Sequence, residues 1–262
     1  MNFFRSPFGR LCLFTFLCSA TIAAPVSELN NEIDASFNKT DFEKRDPGDS
    51  KDEAISVTFK IAGWPNIAEE NCYAMLCLLN GRRDFQRTLG EGERTTNYRT
   101  SGGELRPFQA QNLQQRHTAQ INPDTTSGEE FPWRSIHWNQ PSYLFPATLA
   151  EQRSQGGVIG RALVAAQVGF GKWFHISFTG APFGTYCTAL FQTPPDTSVC
   201  GKQPKEELFS SEGVNIADYA YQLTKDVRPY QFMHIAGSNK GQKRSESLES
   251  SATDADDVTT DS

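Results

Sequence analysis

The chain has 262 residues and a formal net charge of −6, unevenly spread along its length. The acidic tail after 244 carries the excess, residues 1–45 are balanced, and the stretch between them holds 20 basic and 20 acidic residues. That balance excludes the strongly basic footprint of a dedicated nucleic-acid-coating domain, leaves an anionic substrate open, and the single long apolar run excludes a many-span membrane protein.

In chain order, Arg5 and Arg10 precede an apolar run over 11–24 that ends in Thr21, Ala23 and Ala24. This is the pattern of a cleaved secretory signal, 1–24, with cleavage near Ala23 or Ala24. Residues 25–45 are polar and end in Lys44-Arg45, the pattern of a pro-segment with a dibasic processing site, although the pair also reads as solvated charges in a linker. The sequon Asn38-Lys39-Thr40 falls in that segment. A second dibasic pair, Lys243-Arg244, opens a Ser/Thr/Asp-rich tail, 243–262, too poor in apolar residues to fold. The expectation is a secreted, extracellular monomer with its domain at 46–242 and no membrane association after signal removal.

Within that domain, 54–62 alternates as a strand. A helix follows over 66–79, stopped by Asn80-Gly81. Cys72 and Cys77 lie on it, and with Cys187 and Cys200 they make an even count suited to two disulfides in an oxidising compartment. Helical residues five apart sit about 8–9 Å from one another, beyond the roughly 7 Å reach of a disulfide. Each therefore reaches across to Cys187 or Cys200, with a local Cys187 to Cys200 bridge around Pro194-Pro195 as the alternative. The polar stretch 81–120 reads as loop with some helix. Strands are expected at 135–138 and 143–149, a helix at 157–168 with Ile159, Leu163, Ala166 and Val168 on one face, strands at 171–179, 186–191 and 230–235, and a short helix at 216–225. The class is α+β: a mostly antiparallel sheet with helices on one face, containing a β-β-α unit over 135–168.

The richest chemistry lies at the two ends of that unit. Glu129 and Glu130 precede its first strand; Glu151 and Gln152 close its second and precede its helix. A tight antiparallel turn brings those ends together, so the carboxylates converge where a divalent ion would sit. Arg134 and Arg153 flank the two blocks with donor forks suited to phosphate oxygens, and a helix opening at Gly156-Gly157 adds backbone N–H groups. Phosphodiester hydrolysis needs this combination: a group to orient or deprotonate water, and positive charge where oxygen charge develops.

The same blocks resemble the DNA-entry nuclease family (NucA/NucB type), in its fungal secreted form. Gly128 to Pro132, GEEFP, looks like that family's Cys-Asp-Glu-aromatic-Pro, with Glu130, Phe131 and Pro132 agreeing. Glu151 to Gly157, EQRSQGG, is similar to its acidic-Asn turn, and ENCYAMLC around Cys72 resembles its Asn-x-Cys-Tyr segment. The resemblance implies a deoxyribonuclease using Mg or Mn, with Glu129, Glu130 and Glu151 catalytic, Glu151 and Gln152 holding the metal, Arg134 and Arg153 binding substrate, and DNA as partner. Glu129 stands where the family has Asp and Gln152 where it has Asn, each longer by one methylene, and Gly128 replaces a frequent Cys. The alternative is a catalytically inactive secreted interaction protein on the same scaffold.

Other residues carry competing readings. His137 reads as a general base or a structural strand residue, and His175 as a sheet-face residue. Trp133, Trp138 and Trp173 read as packing, unless an exposed Trp133 offers a stacking platform. Arg82, Arg83 and Arg87 read as a phosphate patch or an ordinary solvated face.

Overall fold

A computed structural model describes residues 46–235 apart from 227 and 229. The expected signal (1–24), pro-segment (25–45) with its sequon, and tail (243–262) lie outside the described residues.

The chain runs β1 (Ile55–Lys60), α1 (Pro65–Tyr73) continued by a π-helical turn (Ala74–Leu78), β2 (Asp84–Gln86), α2 (Glu91–Ser101), a 3-10 turn (Gly103–Leu105), α3 (Leu113–Arg116), β3 (Ser127–Phe131), β4 (Tyr143–Ala147), α4 (Leu149–Ala165), β5 (Trp173–Thr179), α5 (Thr185–Leu190), α6 (Ser198–Lys202), β6 (Glu206–Leu208), β7 (Ser211–Val214), a 3-10 turn (Ile216–Tyr219), β8 (Tyr221–Lys225) and β9 (Gln231–His234). The class is α+β. The sheets are ordered β1-β5-β2, β3-β4-β8-β9 and β6-β7. All pairings are antiparallel except β1 with β5.

Alternation explains the first sheet. In β1, Val57 and Phe59 are buried while Ser56, Thr58 and Lys60 face out, and in β5 Phe174, Ile176 and Phe178 point the same way inward. Parallel pairing of Val57 with Ile176 and Phe59 with Phe178 stacks those side chains over α1 residues Ile67, Ala68 and Cys72 in one core. Burying such side chains contributes about 1.5–3 kcal/mol each. Pro65 opens α1 at the position where its missing N–H costs nothing.

Both disulfides cross the domain: Cys72 bonds Cys187 and Cys77 bonds Cys200, with Cα separations of 4.9 and 5.4 Å. The cross-domain alternative holds and the local Cys187 to Cys200 bridge does not form. The first bridge fixes α1 to α5, the second fixes the π-helical turn to α6.

Four expected elements differ. The β-β-α unit exists, but its first strand is β3, eight residues before the expected 135–138, where only an isolated bridge joins Ile136 to Arg87. Its helix begins at Leu149 rather than 157, because Thr148 caps it by accepting from Glu151 N at 3.4 Å. Gly156-Gly157 therefore lies inside α4 and supplies no helix-start N–H groups. Residues 186–191 form most of α5, not a strand, and 216–225 divides into a 3-10 turn and β8, which pairs with β4 and β9. Among the described residues no helix is long and apolar enough to cross a membrane.

Candidate functional site

Between β3, α4, α2 and the segment after β3 lies a cavity of about 310 Å³. Adjacent β3 residues Glu129 and Glu130 both reach it, and Arg87, Arg94 and Arg134 face the same space. One face of α4 forms a wall through Gln152, Gln155, Gly156, Ile159, Gly160 and Leu163, the spacing of a single helical stripe. At Gly156 and Gly160 an added Cβ would meet nothing within 4 Å, so their missing side chains leave the wall open.

Glu129 is only 2% exposed. Its Oε1 accepts from Gln155 Nε2 at 2.5 Å. With the Asn71 amide nitrogen turned toward Glu129, it adds a 3.2 Å bond, and the Asn71 oxygen accepts from Trp133 Nε1 at 3.1 Å. Burial pushes the Glu129 carboxyl up to about 8; the Gln155 bond opposes this, Glu130 reinforces it, Asn71 opposes it and Glu151 reinforces it. The group therefore exchanges a proton near neutrality, as a general acid or base requires. Behind it sits Glu70, 1% exposed, with Oε2 lacking a hydrogen-bond partner. Burial first, then Glu129 and Glu151, hold Glu70 well above the usual carboxylate range.

Glu130 is half-buried and accepts from Ser101 Oγ at 2.6 Å. Burial raises its proton affinity, while the Ser101 bond and the charge of Arg134 lower it. Arg134 is exposed, with its guanidinium 5.9 Å from the Tyr98 ring centre. Arg87 donates to the Val168 carbonyl and stacks on Phe170 at 4.7 Å, which fixes its head group.

The second acidic block faces elsewhere. Glu151 Oε2 accepts from the backbone N–H groups of Asn66 and Ile67, both at 3.1 Å, and Oε1 accepts from Asn66 Nδ2 at 2.5 Å. It thereby satisfies the start of α1, where Trp64 offers no side-chain cap. Gln152 accepts from Ser127 Oγ and donates to the Gly128 carbonyl, stitching α4 to β3. Arg153 is exposed and outside the cavity wall. The structure thus brings together Glu129, Glu130, Arg134 and Gln152, and turns Glu151 and Arg153 to other surfaces. Among the described residues, one group of three His, Cys, Asp or Glu ligand atoms lies within 4.8 Å: Glu69, Cys72 and Cys187. Both sulfurs are in the disulfide, and Glu69 accepts from Tyr186 N and Cys187 N at the start of α5, so that group has no atom left for an ion.

Trp133 is 4% exposed and packs edge-on against Phe59 and Phe131, so it is no stacking platform. His137 bonds Glu93 at 2.5 Å and His175 bonds Asp84 at 2.6 Å, both away from the cavity. Arg82 and Arg83 stack on Phe85 and Phe191, separate from Arg87. Sequence reading missed Arg94, Tyr98, Asn71, Glu70 and Gln155. A signal existed for two pairs of positions: Arg94 and Tyr98 are four apart on α2, and Gln155 is three after Gln152 on α4, each the spacing of one helix face.

No family model, curated protein or solved structure matches this chain. Function therefore rests on the cavity itself: two acids whose proton affinity burial raises, beside three guanidiniums, of which Arg94 pairs with Glu91 at 2.9 Å, Arg87 bonds the Val168 carbonyl and Arg134 has no carboxylate partner within 4 Å among the described residues.

Proposed function

We propose that the chain is a secreted, metal-dependent endonuclease of the DNA-entry nuclease type, acting on DNA as a monomer and free of membranes once its signal is removed. The observation that carries this reading is the convergence of Glu129 and Glu130 with Arg87, Arg94 and Arg134 in one cavity. The pair of disulfides suits an oxidising compartment. In this reading Glu129, in its ionised form, takes the proton of the attacking water. The water oxygen forms the new bond to phosphorus, and the bond to the leaving oxygen breaks. Arg134, Arg94 and Arg87 hold the non-bridging oxygens as their charge grows.

A divalent ion, Mg or Mn, fits the donor set at Glu129 and Glu130 better than at Glu151 and Gln152. Among the described residues, Glu129 Oε2 and Glu130 Oε1 accept no hydrogen bond, whereas both Glu151 oxygens do. Mg-type sites often use one or two carboxylates and complete their shell with water and phosphate. When bound, such an ion supplies positive charge to phosphate oxygen. Incubating the protein with supercoiled plasmid and Mg or Mn tests the reading. Nicking that EDTA abolishes supports it, and an intact plasmid opposes it.

A catalytically inactive secreted interaction protein is the second reading. The enclosure of Glu129, 2% exposed, favours it, because so buried a carboxylate leaves little room for a water and a phosphate beside it. DNA binding without cleavage is its signature.

A further inference from the structure

A second cavity, of about 390 Å³, shares Tyr98 and Gln152 with the first. The two are therefore compartments of one groove running from Glu129 past Tyr98 to Arg106. Tyr98 stands at the junction, 37% exposed, and Gly128 is part of the second compartment's lining. Leu149, 46% exposed, gives that compartment an apolar rim.

Cations stand on both sides of the ring. Arg134 lies over Tyr98 on the Glu129 side, and Arg106 lines the far side. Both arginines act on the Tyr98 phenol, opposing the upward push from burial, Glu130 and Glu104, which puts their charges close to the ring. Among the described residues neither arginine has a carboxylate partner within 4 Å that would neutralise it. Arg106 also sits in the left-handed region, φ 49° and ψ 56°, where a residue with a side chain is strained and glycine is at ease. Such strain is tolerated where a side chain is needed at that place.

A ring face with a free cation beside it matches one chemistry well. Bases stack on aromatic side chains whatever their identity, while the intervening phosphates need positive charge. A paired duplex keeps its bases stacked on each other and offers none to Tyr98. We propose that the Tyr98–Arg106 compartment is a second nucleotide subsite, so that the groove takes an unpaired polynucleotide strand. One base stacks on Tyr98, the next phosphate rests on Arg106, and the preceding phosphate lies at Arg134 in the first cavity. The inference rests on the nuclease reading for what happens at Glu129, yet the subsite binds with or without turnover.

Fluorescence anisotropy of labelled oligothymidylates of two, four, six and eight nucleotides, with the full chain in EDTA, tests it. Wild-type affinity rises with length until the groove is filled, and a duplex of equal length binds more weakly. Tyr98→Ala and Arg106→Gly each lower affinity for the hexamer by about tenfold, and lower it for the dimer far less. Tyr98→Trp restores hexamer binding. Arg106→Gly melts no lower than wild type, because it relieves the left-handed strain, so its weaker binding is not a folding defect. A flat length profile, equal losses at every length, or duplex bound as tightly as single strand overturns the subsite. Cleavage of single-stranded circular DNA with Mg or Mn alongside a flat profile overturns the subsite alone; a length-dependent profile with that single-stranded DNA left intact overturns the nuclease reading alone.

Discussion

Gln155 on α4 donates to Glu129 on β3 at 2.5 Å, so an uncharged amide fixes the buried acid of the cavity. Removing one partner of a buried hydrogen bond costs about 1–3 kcal/mol, because the other is left unsatisfied. Gln155→Leu is expected to lower stability by that amount in urea denaturation and to slow any cleavage through Glu129. Unchanged stability would mean Glu129 needs no donor there.

Glu151 is expected to matter for folding first. Its carboxylate satisfies the N–H groups of Asn66 and Ile67 at the start of α1. Glu151→Ala should cost about 1–2 kcal/mol, the usual range for loss of a helix cap, and Glu151→Gln less, since its amide oxygen still accepts. Thermal denaturation of both variants checks the order.

The disulfides close loops with sequence separations of 115 and 123. In the chain-entropy account, closing so long a loop restricts the unfolded chain by roughly 4–5 kcal/mol. Cys77→Ser with Cys200→Ser is the cleaner test, because Cys77 is half-exposed and Cys72 is fully buried. Because Cys72 with Cys187 stays closed in that variant, the loop released is short, and denaturant unfolding should show a loss of about 3 kcal/mol, while peptide mapping of the wild type without reduction should recover Cys72 with Cys187 and Cys77 with Cys200.

Stability should fall as pH rises from weakly acidic to weakly alkaline. Burial and the neighbouring Glu206 raise Glu69 from 4.5 to about 8, against the bonds it accepts from Tyr186 and Cys187. Gly184 permits this crowding, since a Cβ there would lie 2.6 Å from the Glu69 carboxyl carbon and 2.7 Å from a Glu206 oxygen. With the folded value above the unfolded one, this contribution is fully present below pH 4.5 and is lost as pH climbs to about 8. Between those values the unfolded chain has released a proton that the folded chain keeps, which withdraws up to about 1.4 kcal/mol per pH unit. Melting temperatures across that window should decline, and Glu69→Gln, whose amide mimics the protonated acid, should make the decline shallower while leaving the part that Glu129 and Glu70 carry.

How legible this protein is from its sequence varied with how local the decisive forces are. The strands around Val57 and Ile176 were readable because their alternation records burial directly. The segment 186–191 was not, since Tyr, Thr and Cys favour a strand while Glu69, distant in sequence, caps it as a helix. Strand β3 hid behind Gly128 and two glutamates, all poor strand formers, and is held by pairing with β4. The start of α4 was within reach, because Thr148 followed three residues later by Glu151 is a capping-box pattern. At the site, the acidic pair and Arg134 could be singled out beforehand. The divergence of Glu151 could not, because it depends on α1 packing beside α4, and neither could the approach of Arg94 and Tyr98 from α2.

The most direct test compares wild type with Glu129→Gln in Mg-dependent or Mn-dependent plasmid nicking, alongside oligonucleotide binding in EDTA. The account predicts that the variant binds nearly as well as wild type and cleaves at least about a hundredfold more slowly, the scale of a lost general base. Equal cleavage by the two proteins would contradict it.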